Sequence, residues 1–181
     1  MPHVRTVPTS DLTTSERSAI RALLDRAFLG NFDDHDWDHT LGGLHVVVTE
    51  RDGRDPIAHA AVVQRRFLHR GLSWRGGYVE GVAVHPAWRG QGFAGTVMAE
   101  VEKIIDRAYA LGALSASQAG RGLYLHRGWL PWQGPTHVLA PDGPRRTEED
   151  DDSTLVRVVA GGAELHLTEP LTCDWRDGDV W

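Results

Sequence analysis

A chain of 181 residues, 41% hydrophobic and 24% charged, suits one ordinary globular domain that buries roughly two thirds of its unfolded surface, which excludes disordered and fibrous classes. A net charge of −6 with no basic cluster argues against nucleic acid as the main partner and permits a cationic one. The single cysteine, Cys173, excludes an internal disulfide and a zinc site built on several thiolates; it suits a reducing compartment and reads as a small buried apolar residue.

The opening MPHVRTVPTS lacks an apolar signal-peptide core, and no run approaches the ~18 apolar residues of a membrane span. The expectation is a cytoplasmic protein with no membrane partner. Residues 13–28 then carry a capping-box pattern, Thr13 to Glu16, followed by Ile20, Leu23, Leu24, Ala27 and Phe28 on one face, which predicts an amphipathic helix. NFDDHDWDHTLGG reads as an acidic, aromatic loop. LHVVVTE, a turn at RDGRD and PIAHAAVVQRRFL read as an antiparallel hairpin, and LSW and GYVEGVAV as a further strand pair.

Helical spacing returns at Val97, Val101, Ile104, Ile105 and Ala108, with Leu111 and Gly112 as a glycine stop. ALSAS predicts a short strand, and AGRGLYLHR a short helix stopped at Gly128. Strands follow around WLPW and HVLA, and TEEDDDS reads as an acidic loop before the last strands. The pattern predicts a single mixed α/β or α+β domain with no internal linker.

The stretch WRGQGFAG joins the apolar VEGVAV to a helix. Gly90, Gly92 and Gly95 fit G-x-G-x-x-G, but the context of a dinucleotide fingerprint is missing: the place where an acid should hold a ribose reads ALSAS. No Lys-Ser or Lys-Thr follows, which excludes a Walker loop. What remains is a glycine turn that exposes backbone N–H groups at the positive end of a helix, a good phosphate site. A tight strand-to-helix connection needing positive φ explains the same glycines.

Read with its neighbours, VAVHPAWRGQGFAGTVM contains Arg89, two residues, Gly92, one residue and Ala94. This resembles the R/Q-x-x-G-x-G/A signature of the Gcn5-related N-acetyltransferases. The resemblance implies a GNAT fold, a mixed and largely antiparallel central sheet flanked by helices, with acetyl-CoA at the splayed fourth strand. It also implies that the turn of Arg89, Gly90, Gln91, Gly92, Phe93 and Ala94 grips the pyrophosphate through backbone amides. Val82, Ala83 and Val84 would pair with the pantetheine arm, glycine at the turn letting backbone approach phosphate.

DWDHTLGG, GYVEGVAV, LGALSAS, LYLHRGWLPW, GP with VLAP, and CDWRDGDVW, in that order, further resemble the aminoglycoside 2'-N-acetyltransferases. Nearly the whole chain is covered. The implied activity is acetylation of the 2'-amino group of cationic aminoglycosides such as gentamicin or tobramycin, conferring resistance, by one domain spanning 1–181 that commonly forms homodimers.

The reaction needs a base for the attacking amine and an acid for the departing thiolate, with no covalent nucleophile. Glu80 is the candidate base. It interrupts an apolar strand on the pleat face of Tyr78, Val82 and Val84, where partial burial raises a carboxyl pKa and a bound ammonium lowers it again. A water relay from the amine is favoured over direct contact; a carboxylate paired with arginine for stability is the structural alternative. Tyr124 matches the tyrosine that many of these enzymes direct at the cofactor sulfur as general acid, against aromatic packing as the alternative. A backbone N–H near Val82 is expected to polarise the thioester carbonyl.

By the same resemblance, Asn31, Asp36, Glu80, the carbonyl of Gly81, Ser115, Asp151, Gly178, Asp179 and the carboxylate of Trp181 line the acceptor pocket. Asn31 departs from relatives that carry aspartate, and counting through the acids 148–152 from either side shifts the match by one residue. His35 and His39 are four apart, but no third ligand accompanies them, so no metal is expected. Two rival functions stay open: a GNAT enzyme acting on another amine (a peptide N-terminus, a polyamine or a cell-wall amino sugar), and a non-catalytic acyl-CoA-binding regulatory module. The presence of both Glu80 and Tyr124 counts against the second.

Overall fold

The computed structural model describes residues 2–50, 53 and 55–181. The chain divides into two compact units, Met1–Val63 with Val79–Lys103, and Gln64–Tyr78 with Ile104–Trp181.

In the first unit, β1 (His3–Pro8) runs antiparallel to β2 (Leu44–Thr49), and β2 antiparallel to the start of β3 (Pro56–His69) with Leu44 opposite Val62 and Val48 opposite Ala58. The hairpin is as expected; its turn at RDGRD lies partly outside the described residues. Residues 56–63 of β3 are all buried, the signature of a strand covered on both faces. Helix α1 (Thr14–Ala27) starts where its sequence says it should: the Thr13 hydroxyl accepts the Glu16 N–H at 3.2 Å and the Glu16 carboxylate accepts the Thr13 N–H at 2.8 Å. Ile20, Leu23 and Leu24 bury against Val7, Val47 and Ala83, each burial worth about 1.5–3 kcal/mol.

The acidic stretch after α1 is not a plain loop. Asp33 and Asp36 form a second capping box, their carboxylates each accepting the other's N–H at 2.9 Å, and start α2 (Asp34–Thr40), which packs Trp37 on the same core. Aspartate at both box positions reads as solvated surface by composition, although it satisfies two orphan helix donors.

LSW and GYVEGVAV are one strand, β4 (Leu72–Val84), so β3 and β4 make a hairpin through the positive-φ residues Arg70 and Gly71. In the second unit the strand order is β6 (Leu130–Pro131), β9 (Thr154–Val158), β5 (Leu111–Ser115), β4, β3, β10 (Leu171–Asp174), β7 (Thr136–Ala140), β8 (Gly143–Arg146). Here β10 with β3, β5 with β9, β6 with β9 and β7 with β8 pair antiparallel, while β4 with β5 and β10 with β7 pair parallel, so the sheet is mixed and largely antiparallel, as expected. Parallel pairing of β4 with β5 requires a crossover, which α3 (Phe93–Ala108) supplies. That pairing covers Gly76 to Tyr78 and stops there.

Leu111 and Gly112 do not stop a helix; they open β5, and a Cβ on Gly112 would press on Ile105 and Trp129 at 3.1 Å. Helix α4 (Gln118–His126) is capped by Ser117 and ends before Gly128 at φ 84°. The acidic run contains a short 3-10 turn, Glu148–Asp150. Cys173 is buried in β10, and burial pushes its thiol up to about 11, in keeping with an apolar packing role.

Candidate active site

The first unit holds β4 from Val79 onward and the glycine turn. Glu80 is half-buried there. Gly81 has φ 56°, a left-handed residue inside a strand, so the alternation of faces breaks at this point. Counting by twos from Glu80 therefore no longer fixes a shared face with Val82 and Val84. The Gly81 carbonyl accepts a hydrogen bond from His59 Nδ1 at 2.8 Å.

The turn that follows is built from both ends. Pro86–Trp88 is one turn of 3-10 helix, the Trp88 ring meets Phe93 edge-on at 5.8 Å, and Arg89 Nη2 donates to the Ala27 carbonyl at 3.0 Å. Gly90 and Gly92 adopt φ 75° and 84°, and a Cβ on either would meet no atom within 4 Å. The Gly92 carbonyl accepts the Thr96 N–H at 3.0 Å, closing the first turn of α3. The amides of Phe93, Ala94 and Gly95 thus precede the first intrahelical donor, with no acidic residue in that turn and open space before them. This arrangement is chemically suited to an anion: oriented N–H groups, a sixteen-residue helix dipole and no side chain in the way.

Asn31 is exposed, its N–H donating to the Phe28 carbonyl at 3.0 Å; Asp36 is half-buried and spends one carboxylate oxygen on the α2 capping box. His35 and His39 belong to α2, and the described residues contain no group of three or more metal-ligating side chains.

The second unit holds the other predicted residues. Tyr124 lies buried in α4 with its ring tilted at 64° on Trp129, and burial pushes its phenol up to about 12. Ser115 is exposed at the end of β5, its hydroxyl donating to Ser153 at 3.0 Å.

Asp151 is committed internally. Its carboxylate accepts from the Thr136 N–H at 3.0 Å, the Thr136 hydroxyl at 2.9 Å and both terminal nitrogens of Arg146, and these bonds, the Arg146 pair foremost, hold it well below the usual carboxylate range. Its neighbour Asp150 is the opposite case. Half burial, then the charges of Glu149, Asp179 and Asp151, raise Asp150 to about 6.

The segment 175–181 is pinned rather than frayed. Arg65, buried on β3, donates Nε to Asp174 Oδ1 at 2.8 Å and Nη1 to the Val180 carbonyl at 2.7 Å, with its guanidinium 4.9 Å above the Tyr78 ring. Trp181 is buried, its indole N–H donating to the Thr147 hydroxyl at 3.0 Å and its ring 5.9 Å from Phe67. Gly178 turns the chain at φ 75°, and Asp179 follows it. Trp175 stays partly exposed beneath Arg145 at 5.8 Å.

Residues 9–131 match the family model described as an acetyltransferase (GNAT) domain. The chain belongs to the GNAT family of acetyltransferases. It is 55% identical over 179 residues to an aminoglycoside 2'-N-acetyltransferase of Mycolicibacterium fortuitum, which covers 98% of this chain and 91% of that protein. Among solved structures it resembles a GNAT family N-acetyltransferase (YhbS) from Escherichia coli in complex with CoA, at TM-score 0.66 and 20% identity over 94% of this chain and 88% of that one. It also resembles Escherichia coli ElaA, at TM-score 0.61 and 17% identity over 87% and 99%. The last two carry the fold alone. Acetyl transfer to an amine is the reaction class of this GNAT chain.

Three features escaped the sequence reading. Arg65 was one of two adjacent arginines in the second half of β3, where burial alternates residue by residue from Gln64 to His69. Asp150 stood in an acidic run with no internal landmark. His45 and His59 are fully buried, each the only polar residue within an apolar stretch of β2 or β3, and that interruption was the available signal.

Proposed function

We propose that this chain transfers the acetyl group of acetyl-CoA to the 2'-amino group of aminoglycoside antibiotics, and that this confers resistance to them. The observation that carries the choice of acceptor is 55% identity, along nearly the whole chain, to a protein of that activity. The anion-binding turn at the start of α3 supports acetyl-CoA as the donor. Residues 89–94 would hold its pyrophosphate on backbone amides, and Val82, Ala83 and Val84 would pair with its pantetheine arm.

In the proposed step the neutral amine attacks the thioester carbon and the C–N bond forms. The carbonyl oxygen takes the negative charge and is met by the Val82 N–H. The C–S bond then breaks as the carbonyl re-forms. The amine's proton passes through water to Glu80 and on to solvent, while the leaving thiolate takes a proton from the Tyr124 hydroxyl, which solvent replaces. A phenol held near 12 stays protonated at every working pH, so it serves as a standing donor.

The acceptor is a polycation. Asn31, Asp36, Glu80, the Gly81 carbonyl, Ser115, Gly178, Asp179 and Trp181 are the contacts proposed on family resemblance. In the acidic run we propose Asp150 in place of Asp151, because Asp151 is consumed by Arg146 and Thr136. The whole chain is taken as one catalytic domain, working in the cytoplasm as a homodimer, on family resemblance. No helix among the described residues is long and apolar enough to cross a membrane.

Release of free CoA across a panel of aminoglycosides tests the proposal. Turnover is expected with acceptors that carry a 2'-amine and not with those bearing a hydroxyl there; turnover that ignores this group overturns it.

A further inference from the structure

His45 and His59 form a hydrogen-bonded string across the first unit. It starts at the Thr9 hydroxyl, 2.8 Å from His45 Nε2, continues from His45 Nδ1 to His59 Nε2 at 2.9 Å, and ends at the Gly81 carbonyl, 2.8 Å from His59 Nδ1. Both rings are fully buried, on strands that an apolar residue would suit at least as well. All four ring nitrogens have partners.

The direction of the string follows from its Gly81 end. A carbonyl only accepts, so His59 Nδ1 carries the proton. Burial drives His59 down to about 3 and His45 to about 4, so each ring is neutral and holds one proton. His59 Nε2 is then bare and takes the proton donated by His45 Nδ1; His45 Nε2 is bare in turn and takes the Thr9 hydroxyl proton. Thr9 agrees with this polarity: its oxygen accepts the Gly42 N–H at 3.0 Å, and the competing Gly43 carbonyl, 3.3 Å away, already has the Thr9 N–H at 3.0 Å. Three donors therefore point one way, toward Gly81.

The string cannot be a proton path to the reacting amine, because it ends on a carbonyl that has no proton to pass on. What it can do is act on an amide. The Gly81 carbonyl and the Val82 N–H are two ends of one planar peptide unit, pointing in opposite directions. A hydrogen bond received at the oxygen fixes that plane and draws electron density from the nitrogen, which makes the N–H a stronger donor. Gly81 gives this peptide its unusual direction at φ 56°, where a Cβ would meet Thr40 Cγ2 at 3.1 Å and the His59 ring at 3.4 Å.

We propose that His59 and His45 are positioning residues for acetyl transfer, holding the Gly81 carbonyl so that the Val82 N–H is aimed at, and polarised toward, the oxygen that becomes negative in the transition state. This rests on the assignment of that N–H to the thioester carbonyl made above. Neither histidine touches substrate.

The test compares His59→Leu with His59→Asn, whose amide keeps a donor near the Nδ1 position. In single-turnover experiments His59→Leu is expected to slow acetyl transfer at least ~10-fold, below the full loss of an oxyanion donor, with CoA affinity within about threefold of wild type. His59→Asn restores most of the rate. In the unliganded protein, ¹⁵N NMR is expected to show His59 protonated at Nδ1 and bare at Nε2, and His59→Leu is expected to shift the Val82 amide proton upfield. A wild-type rate in His59→Leu, equal losses in the Leu and Asn variants, or a proton on His59 Nε2 overturns the inference; should His59→Leu not fold, the Asn rate and the wild-type tautomer decide. Absence of acetyl transfer by the wild-type protein would instead sink the proposed function, with the NMR result standing apart from it.

Discussion

Replacing Gly92 with valine separates the two roles a glycine turn can have. At φ 84° a residue with a Cβ pays about 1–2 kcal/mol for the left-handed conformation. No collision adds to this, because the new Cβ meets nothing within 4 Å. For a chain of this length such a loss lowers Tm by about 2–8 °C, so the variant folds. The open space beside Gly92 is where phosphate oxygens must come to reach the amides of the first turn of α3, and a branched side chain fills it. Calorimetric titration with CoA is expected to show at least ~100-fold weaker binding, about 2.7 kcal/mol, with aminoglycoside binding to the free protein within about threefold of wild type. Gly92→Ala should fall between. Wild-type CoA affinity in a folded Gly92→Val would refute the anion site and leave the glycine as a connection only.

Glu80→Gln is expected to cut turnover by about two orders of magnitude and to remove the acidic limb of the pH profile, read from steady-state kinetics. Tyr124→Phe should slow transfer without removing any limb below about pH 10, since the phenol titrates near 12 and is neutral throughout that range. Asp150 is ionised above about 6 and neutral below, so the KM for an aminoglycoside should climb as pH falls through that value, and acceptor binding near pH 6 should release a proton, detectable by calorimetry in buffers of different ionisation enthalpy. Asp150→Asn should abolish both effects. It should also raise Tm at neutral pH, because a carboxyl raised on folding costs stability as pH climbs from about 4 to 6 and beyond. Asp151→Asn should do the reverse: its carboxyl is depressed on folding, so the native residue stabilises above its unfolded pKa near ~3.9, and the variant's Tm deficit at pH 7 should vanish in strong acid.

What could be read in the sequence was local and repeated. α1 was legible because a capping box and a one-sided apolar stripe agree, and the turn at residues 89–94 because glycines stood between a strand period and a helix period. The family signature then carried the fold. What escaped depended on contacts distant in sequence. The α2 capping box looks like solvated acid until Trp37 and Thr40 are seen packed behind it. The positive φ of Gly81 resets the pleat, so a period of two cannot assign faces beyond Glu80. Asp150 and Asp151 are indistinguishable in a run of acids; Arg146 and Thr136 tell them apart by taking one. His45 and His59 lie on different strands, and only the antiparallel register that puts His59 opposite Val47, two places from His45, makes them a pair.

The activity proposed for this chain is acetylation at one nitrogen of a polyamine. Incubating the protein with acetyl-CoA and tobramycin, and locating the new acetyl group on the isolated product by two-dimensional NMR, tests it most directly. A single monoacetylated product with the amide on the 2'-nitrogen, and one free CoA per product, is expected. Acetylation at another amine, or a mixture of positions, would contradict it.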